Sequence, residues 1–365
     1  MIRLARRPAP SRVMLWGSPL VAVALTFALG AAAFAAMGQP PLGALHALFV
    51  SPLSDLNGVA ELLLKASPLC LIALGLAVGF RSNVWNIGAE GQMYIGAVFA
   101  TGLAIHFQER WGVWMLPAMI VAGIAGGLAW AAIVAALRAH LHASEILVSL
   151  MLTYVAALIV KYLVFGPWQD PAANNFPFTV SFEDNALFTL LANYLGALEG
   201  TRLNTSVLLT LAAIPLAWVF MKYSFAGFQL RVAGDAPAAA RYAGHSEKRA
   251  IWIALLIGGA AAGLAGVTEV AGPIGQLNDR WTPGYGFTAI IVAALGRLHP
   301  AGIAVASLLM ALLYIGGETA QVALQLPRAI AYVFQGLLLM LLLACEVLVN
   351  FRLQWTASIR SSQAA

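Results

Sequence analysis

The sequence predicts an all-α, polytopic membrane protein of about ten transmembrane helices, some of them short or broken, with both termini in the cytoplasm. Three observations predict it: a composition too apolar to bury in water, a succession of apolar runs of bilayer length, and basic residues gathered on alternate connections. Hydrophobic residues fill 61% of 365 positions and charged residues 10%, against about 45–50% and about 25% in soluble domains. Cys70 and Cys345 sit inside apolar runs without metal-ligand spacing and act as small hydrophobes. The net charge of +5 reflects membrane topology, not a nucleic-acid surface.

The elements follow in order. Arg3, Arg6, Arg7 and Arg12 precede an apolar stretch at 14–37, which is long enough to span a bilayer and is taken as an uncleaved first helix instead of a signal peptide. Charged residues and Gly/Pro clusters then delimit helices at 58–80, 93–107, 112–137, 145–165, 204–222, 250–271, 284–297, 300–317 and 328–349. The runs 93–107 and 284–297 are short for a core about 30 Å thick. They are the predicted short spans, and short interrupted spans in both halves of a transporter point to its pathway.

Charge tests this order. With the N-terminus inside, fourteen basic residues face the cytoplasm: Arg3, Arg6, Arg7, Arg12, Arg81, Arg138, Lys222, Arg231, Arg241, Lys248, Arg249, Arg297, Arg352 and Arg360. Four face outside: Arg110, Arg202, Arg280 and Arg328. Lys65 and Lys161 lie within spans. This is the positive-inside asymmetry. The outer connection 166–203 carries Asp170, Glu183, Asp184 and Glu199 among recurring aromatics, and is expected to hold a short amphipathic helix at the interface.

No catalytic constellation emerges. His46, His106, His140, His142, His245 and His299 all fall at helix ends or in loops, where interfacial solvation accounts for them. Charged residues inside spans hug the ends: Glu61 and Lys65 are placed to pair at i, i+4, Lys161 to snorkel, and Glu269 and Glu346 lie near helix ends. Ion coupling normally needs ionisable groups near mid-bilayer, so a stand-alone secondary transporter or channel is the weaker alternative.

Three segments interrupt the apolar pattern. In Gly79–Gln92, the polar residues Arg81, Asn83, Asn86, Glu90 and Gln92 accompany Trp85. Irregular backbone at membrane depth requires a protein-lined cavity; the competing explanation is a plain inner turn. Amides exchange hydrogen bonds with hydroxyls and base edges, and an indole stacks on rings. The second segment holds Tyr285 and Phe287 at the head of a short apolar run ending at Gly296–Pro300. The third, Gly227–Gly244, reads as a two-turn helix with Asp235 as cap, Pro237 in the first turn and Gly244 as its stop. A helix so short needs a partner surface.

Asn86–Gln92, Gly234-Asp235 with Ala239-Ala240-Arg241 and Gly244, and Tyr285–Ile290 with Gly296 and His299-Pro300 resemble the ABC-importer permeases, in the branch serving nucleosides and simple sugars. The likeness covers most of the chain in the same order. Glu145–Leu152 fits the family too, with Ser144 where Asn is usual. The resemblance implies a permease domain at 14–349 between cytoplasmic segments 1–13 and 350–365, a coupling loop at 223–249 and a periplasmic loop at 166–203, in the bacterial inner membrane. It implies import of a nucleoside or related simple sugar, the alternative being another small polar solute such as a branched-chain amino acid. Partners would be a second permease, in a heterodimer sooner than a homodimer, a cytoplasmic ATPase, and a periplasmic or lipid-anchored binding protein. Gly234, Asp235, Pro237, Ala240, Arg241, Tyr242 and Gly244 would contact that ATPase; Asn83, Trp85, Asn86, Glu90, Gln92, Tyr285 and Phe287 are the pathway candidates. The chain has no phosphate-binding Gly-x-x-x-x-Gly-Lys-[Ser/Thr]. No cofactor is expected on it, and ATP and Mg belong to the partner ATPase.

Overall fold

The computed structural model describes residues 2–7, 11–279, 281–282, 284–325, 327 and 329–355; Arg280, Arg328 and Arg360, which entered the charge count, lie outside them. The helices are α1 (Arg12–Ala36), α2 (Pro41–Phe49), α3 (Leu56–Arg81), α4 (Ala89–Trp111), α5 (Met115–Leu141), α6 (Glu145–Val164), α7 (Ser206–Tyr223), α8 (Phe225–Asp235), α9 (Pro237–Tyr242), α10 (Glu247–Glu269), α11 (Tyr285–Leu295), α12 (Pro300–Leu324) and α13 (Ala329–Asn350). Among the described residues, seven helices are long and apolar enough to cross a membrane. Each apolar run picked out in the sequence is helical, and the chain is a helical polytopic membrane protein.

Two compact units divide at Ser51/Pro52 and inside α12, at Ile315/Gly316. In the unit formed by both chain ends, α1 packs on α13: Phe34 stacks on Phe334 at 5.6 Å, and Gly30 lies under the Phe334 ring. Ser11 N–H donates to the Val349 carbonyl at 3.0 Å. Beyond the helices, Ile2–Arg6 (β1) pairs antiparallel with Phe351–Trp355 (β2), Arg3 opposite Gln354. This two-stranded ribbon is added to an otherwise all-α architecture. Hydropathy favours no conformation for such a short polar end, and the pairing comes from bringing both ends of the chain together. Helix α2 was also unforeseen; its nine residues are too few to register as a span.

In the unit Pro52–Ile315, α10 is central and packs against α3, α4 and α5. Its glycines make this possible. Gly259 and Gly263 face Gly123 and Gly127 of α5, Gly263 also meets Gly96 of α4, and Gly258 and Ala261 meet Gly75 of α3. In lipid no hydrophobic force drives helices together, so close backbone approach over small residues supplies the packing.

Two local expectations change. Helix α4 is 23 residues long, not a 93–107 fragment. Polar residues at both its ends hid its length from hydropathy. The outer connection forms no amphipathic helix, only one-turn 3-10 pieces at 184–186, 191–193 and 196–198. Its backbone instead runs along the π-helical turn Val270–Ile274 and the residues after it: Thr179 N–H bonds Leu277 O, Phe182 N–H bonds Gly275 O, and Phe188 N–H bonds Ala271 O. Glu61 also pairs with Arg202 (2.8 Å), a residue remote in sequence, and Lys65 lies close to Glu269.

Candidate functional site

The chain leaves α3 at Arg81 and turns back. Asn83 takes a left-handed conformation (φ 59°), and Ser82 Oγ and Val84 N–H both bond the Gly79 carbonyl, at 2.8 and 3.0 Å. The extended residues that follow climb beside α3 and α10. A Cβ on Gly258 would lie 2.9 Å from Asn86 Nδ2, and that same glycine faces Gly75. Gly75 is six residues before Arg81, so Asn86 sits roughly 9 Å inward of the α3 end at 1.5 Å per helical residue. Irregular backbone at this depth is buried in protein, as it must be.

Each residue of the motif holds this re-entrant segment. Asn86 Nδ2 donates to Gln92 Oε1 (2.8 Å) and Gln92 Nε2 to Asn86 Oδ1 (3.2 Å), while Gly88 N–H also donates to Asn86 Oδ1. Both amides are buried. Gly88 and Gly91 lie against Ser149 and Thr153 of α6, too close for any side chain, and Ile87 N–H donates to Ser149 Oγ. The Ser144 hydroxyl caps α6 through Leu147 N–H. Glu90 is buried and accepts from Gly286 N–H (2.5 Å) and Thr282 Oγ1 (3.1 Å). Thr282 Oγ1 in turn accepts from Gly284 and Tyr285 N–H. The first turn of α11 has no cap of its own; Glu90 and Thr282 supply one. A Cβ on Gly286 would collide with the Glu90 backbone.

Two helix ends thus meet inside the bundle. From Gly286, α11 runs about 14 Å to Leu295, and Leu298 O then accepts from Arg81 Nη2 at 3.0 Å. Glu90 is therefore about half a bilayer from the Arg81 end. The expectation that span charges hug the ends misses this carboxylate, because its segment reads as an inner turn. Below it, Tyr285 is buried edge-on to Tyr314 (5.6 Å), whose hydroxyl bonds Thr288 Oγ1 at 2.7 Å, and Tyr285 faces Glu269. Tyr94 packs edge-on to Trp281 at 5.6 Å and reaches Glu90. Sequence reasoning missed Tyr94, Trp281 and Thr282. Phe287 is partly exposed; Asn83 and Trp85 lie exposed at the Arg81 end, with Trp85 Nε1 donating to Asn83 Oδ1 at 3.1 Å.

That end is basic. A pocket of about 270 Å³ is lined by Asn83, Arg138, Gln229, Arg241, His245 and Arg249. Beside it lies a second hollow lined by Arg81, Arg231 and Asp235. Helix α8, absent from the sequence reading, is capped by Ser224 and held by Gln229 Nε2 donating to His245 Nδ1 (3.0 Å). Gly234 lies on the Arg81 carbonyl with no room for a Cβ. Asp235 ends α8 and does not cap α9, whose N-cap is Ala236; Pro237 opens α9 and Gly244 closes it at φ 77°. Of α9 only Ala240 is buried; Arg241 is exposed and Tyr242 is 97% exposed. Among the described residues no group of three His, Cys, Asp or Glu could hold a metal.

A polytopic bundle with helices broken at mid-depth and an exposed short helix at one basic end defines a membrane transport protein. The chain belongs to the family of branched-chain amino acid transport system permease components, whose family model matches residues 58–343. It is 35% identical to the glucose ABC transporter permease protein TsgB13 of Haloferax volcanii, over 95% of this chain and 92% of that protein. It is 31% identical to the guanosine ABC transporter permease protein NupP of Bacillus subtilis (82% and 84%) and 30% to the nucleoside ABC transporter permease protein NupB of Lactococcus lactis (82% and 82%). Each of these organisms also holds a second permease relative, 23 to 27% identical to this chain. No solved structure gave a match. The chain is a multi-pass, non-catalytic permease subunit of an ABC transporter in the plasma membrane, with ATP hydrolysed on a partner ATPase.

Proposed function

We propose that this permease is one half of a heterodimeric, ATP-driven importer carrying a nucleoside or simple sugar. The observation that carries this reading is the likeness over most of the chain to glucose, guanosine and nucleoside permeases. Those solutes share a neutral polyhydroxylated ring. The pairing of a closer and a more distant relative in all three organisms supports a second, different permease as partner. A binding protein delivers the solute from outside, and ATP with Mg acts on the ATPase. Reconstituted with its cognate ATPase, second permease and binding protein, the chain is expected to take up labelled guanosine or glucose only with ATP. Uptake of neither would overturn the substrate assignment.

In this reading the basic end is cytoplasmic, both termini lie on that side, and about ten segments traverse or enter the membrane. Arg81, Arg138, Arg231, Arg241 and Arg249 line the two hollows there, as the positive-inside rule requires. Helix α9 is the ATPase contact, with Gly234 and Gly244 setting its path and Asp235, Pro237, Ala240, Arg241 and Tyr242 on or beside it. An aromatic ring left 97% in solvent suits a hot-spot anchor in a partner's groove. Arg241→Glu is expected to lose the ATPase on co-purification while the permease yield is unchanged. Retained ATPase would remove α9 from the interface. Asn83, Trp85 and Phe287 are the exposed pathway candidates; Asn86, Gln92, Glu90 and Tyr285 shape the break from within.

A further inference from the structure

Thr101 Oγ1 and Trp281 Nε1 are buried polar atoms without a hydrogen-bond partner; Thr101 is fully buried and Trp281 is 5% exposed. Leaving such a group unpaired costs about 1–3 kcal/mol, and few survive in a native fold without a reason. These two are not scattered. At 100° per residue, Glu90, Tyr94 and Thr101 fall within about 40° of one another on α4. Trp281 packs on that same face, edge-on to Tyr94 at 5.6 Å. This face of α4 therefore carries two aromatic rings and an unmet indole N–H near the break, with the unmet Thr101 hydroxyl about 10 Å further outward along the helix.

The chemistry restricts what can meet this wall. Both Glu90 oxygens are engaged, by Thr282 and Gly286, so the carboxylate is a fixture and not an open ligand. A neighbouring carboxylate disfavours an anionic solute. A purely apolar solute would leave both polar atoms unpaired. The indole N–H only donates, whereas the threonine hydroxyl donates or accepts. A ring with C–H faces to lie on aromatics and hydroxyls at its rim satisfies every group.

We propose that Tyr94, Thr101 and Trp281 form the wall along which the transported solute passes, and that this wall recognises a neutral polyhydroxylated ring such as ribose or a hexose. The inference rests on the sugar or nucleoside reading above and assigns the residues that would act on that solute inside the membrane. The break between α4 and α11 then serves to bring Trp281 to the face of α4.

The test uses Thr101→Val, which keeps shape and removes one polar atom, and Trp281→Phe, which removes the indole N–H together with part of the ring. Uptake of labelled guanosine and glucose is measured in proteoliposomes holding the full complex, alongside solute-independent ATPase rate and Tm. The expected result is a maximal uptake rate about three- to tenfold lower in each variant, from loss of one hydrogen bond. KM, set by the binding protein, is unchanged, and so is the solute-independent ATPase rate. Tm stays level or rises in Thr101→Val, because a buried unpaired group has been removed without a change of shape. Wild-type uptake rates in both variants would overturn the wall while leaving the importer reading in place. A fall in the Tm of Thr101→Val together with its uptake would also overturn it, by showing a structural role. Wild-type complex that takes up neither solute removes the reading and the wall together.

Discussion

Gly263→Val is expected to abolish recovery of folded permease. A Cβ at Gly263 would press on the Gly123 carbonyl and lie 3.1 Å from Gly127 Cα, both backbone atoms of α5. Neither can swing aside as a long side chain would, so the helix pair must separate. Separation breaks the crossing along its length, because Gly259 meets Gly127 and Ala131 one turn away and Gly266 meets Met93 and Ala97 of α4. Overpacking against side chains typically costs about 1–3 kcal/mol. Here the obstacle is backbone, and α10 is shared by three neighbours, so several such costs add. Size-exclusion profiles and melting of the detergent-solubilised protein measure the outcome. Gly17→Ala is the control, since nothing lies within 4 Å of its added methyl; it should match wild type. A monodisperse Gly263→Val protein with wild-type Tm would show that α5 and α10 do not cross as described.

That crossing also shows what the sequence could and could not disclose. The spacing of Gly123 and Gly127, and of Gly259 and Gly263, is the small-xxx-small pattern of close helix pairs. The signal was present in the residues, although hydropathy does not weigh it. Apolar runs and basic connections were legible because lipid imposes length and charge rules on every span. Depth was not. Ser82–Gly88 has the polarity of an inner turn, and only its bonds to Gly79, Ser149 and Gln92 carry it into the bundle. With it goes Glu90, whose partner Gly286 lies 196 residues away in sequence. The outer connection misled for a related reason: its backbone bonds that of the residues after α10, a contact no local periodicity encodes. Thr101 was within reach, since it shares a helical face with Glu90 once α4 is known to start at Ala89.

The same carboxylate yields a second large effect. Glu90→Gln is expected to lower ATP-driven uptake at least tenfold and also to lower the Tm of the complex. Glu90 presents two acceptors to two donors, the Gly286 N–H and the Thr282 hydroxyl. Glutamine presents one acceptor and one donor. If its NH₂ faces Gly286, two donors oppose each other. If it faces Thr282, it meets a hydroxyl oxygen already accepting from Gly284 and Tyr285 N–H. Either way a buried hydrogen bond is lost and a buried group left unmet, which costs about 1–3 kcal/mol, and about 1.4 kcal/mol is tenfold in an equilibrium. Either the Gly286 N–H at the first turn of α11 or the Thr282 hydroxyl is then left unmet, and the joint between α4 and α11 loosens where the solute must pass. The two readouts together separate the two roles open to Glu90. A residue that only grips solute would lose uptake and keep the Tm of the solute-free complex, because its bonds form only when solute is present. A brace loses both, because its partners belong to the protein. Glu90→Gln with wild-type Tm and reduced uptake would therefore move Glu90 from the scaffold of the break to its lining.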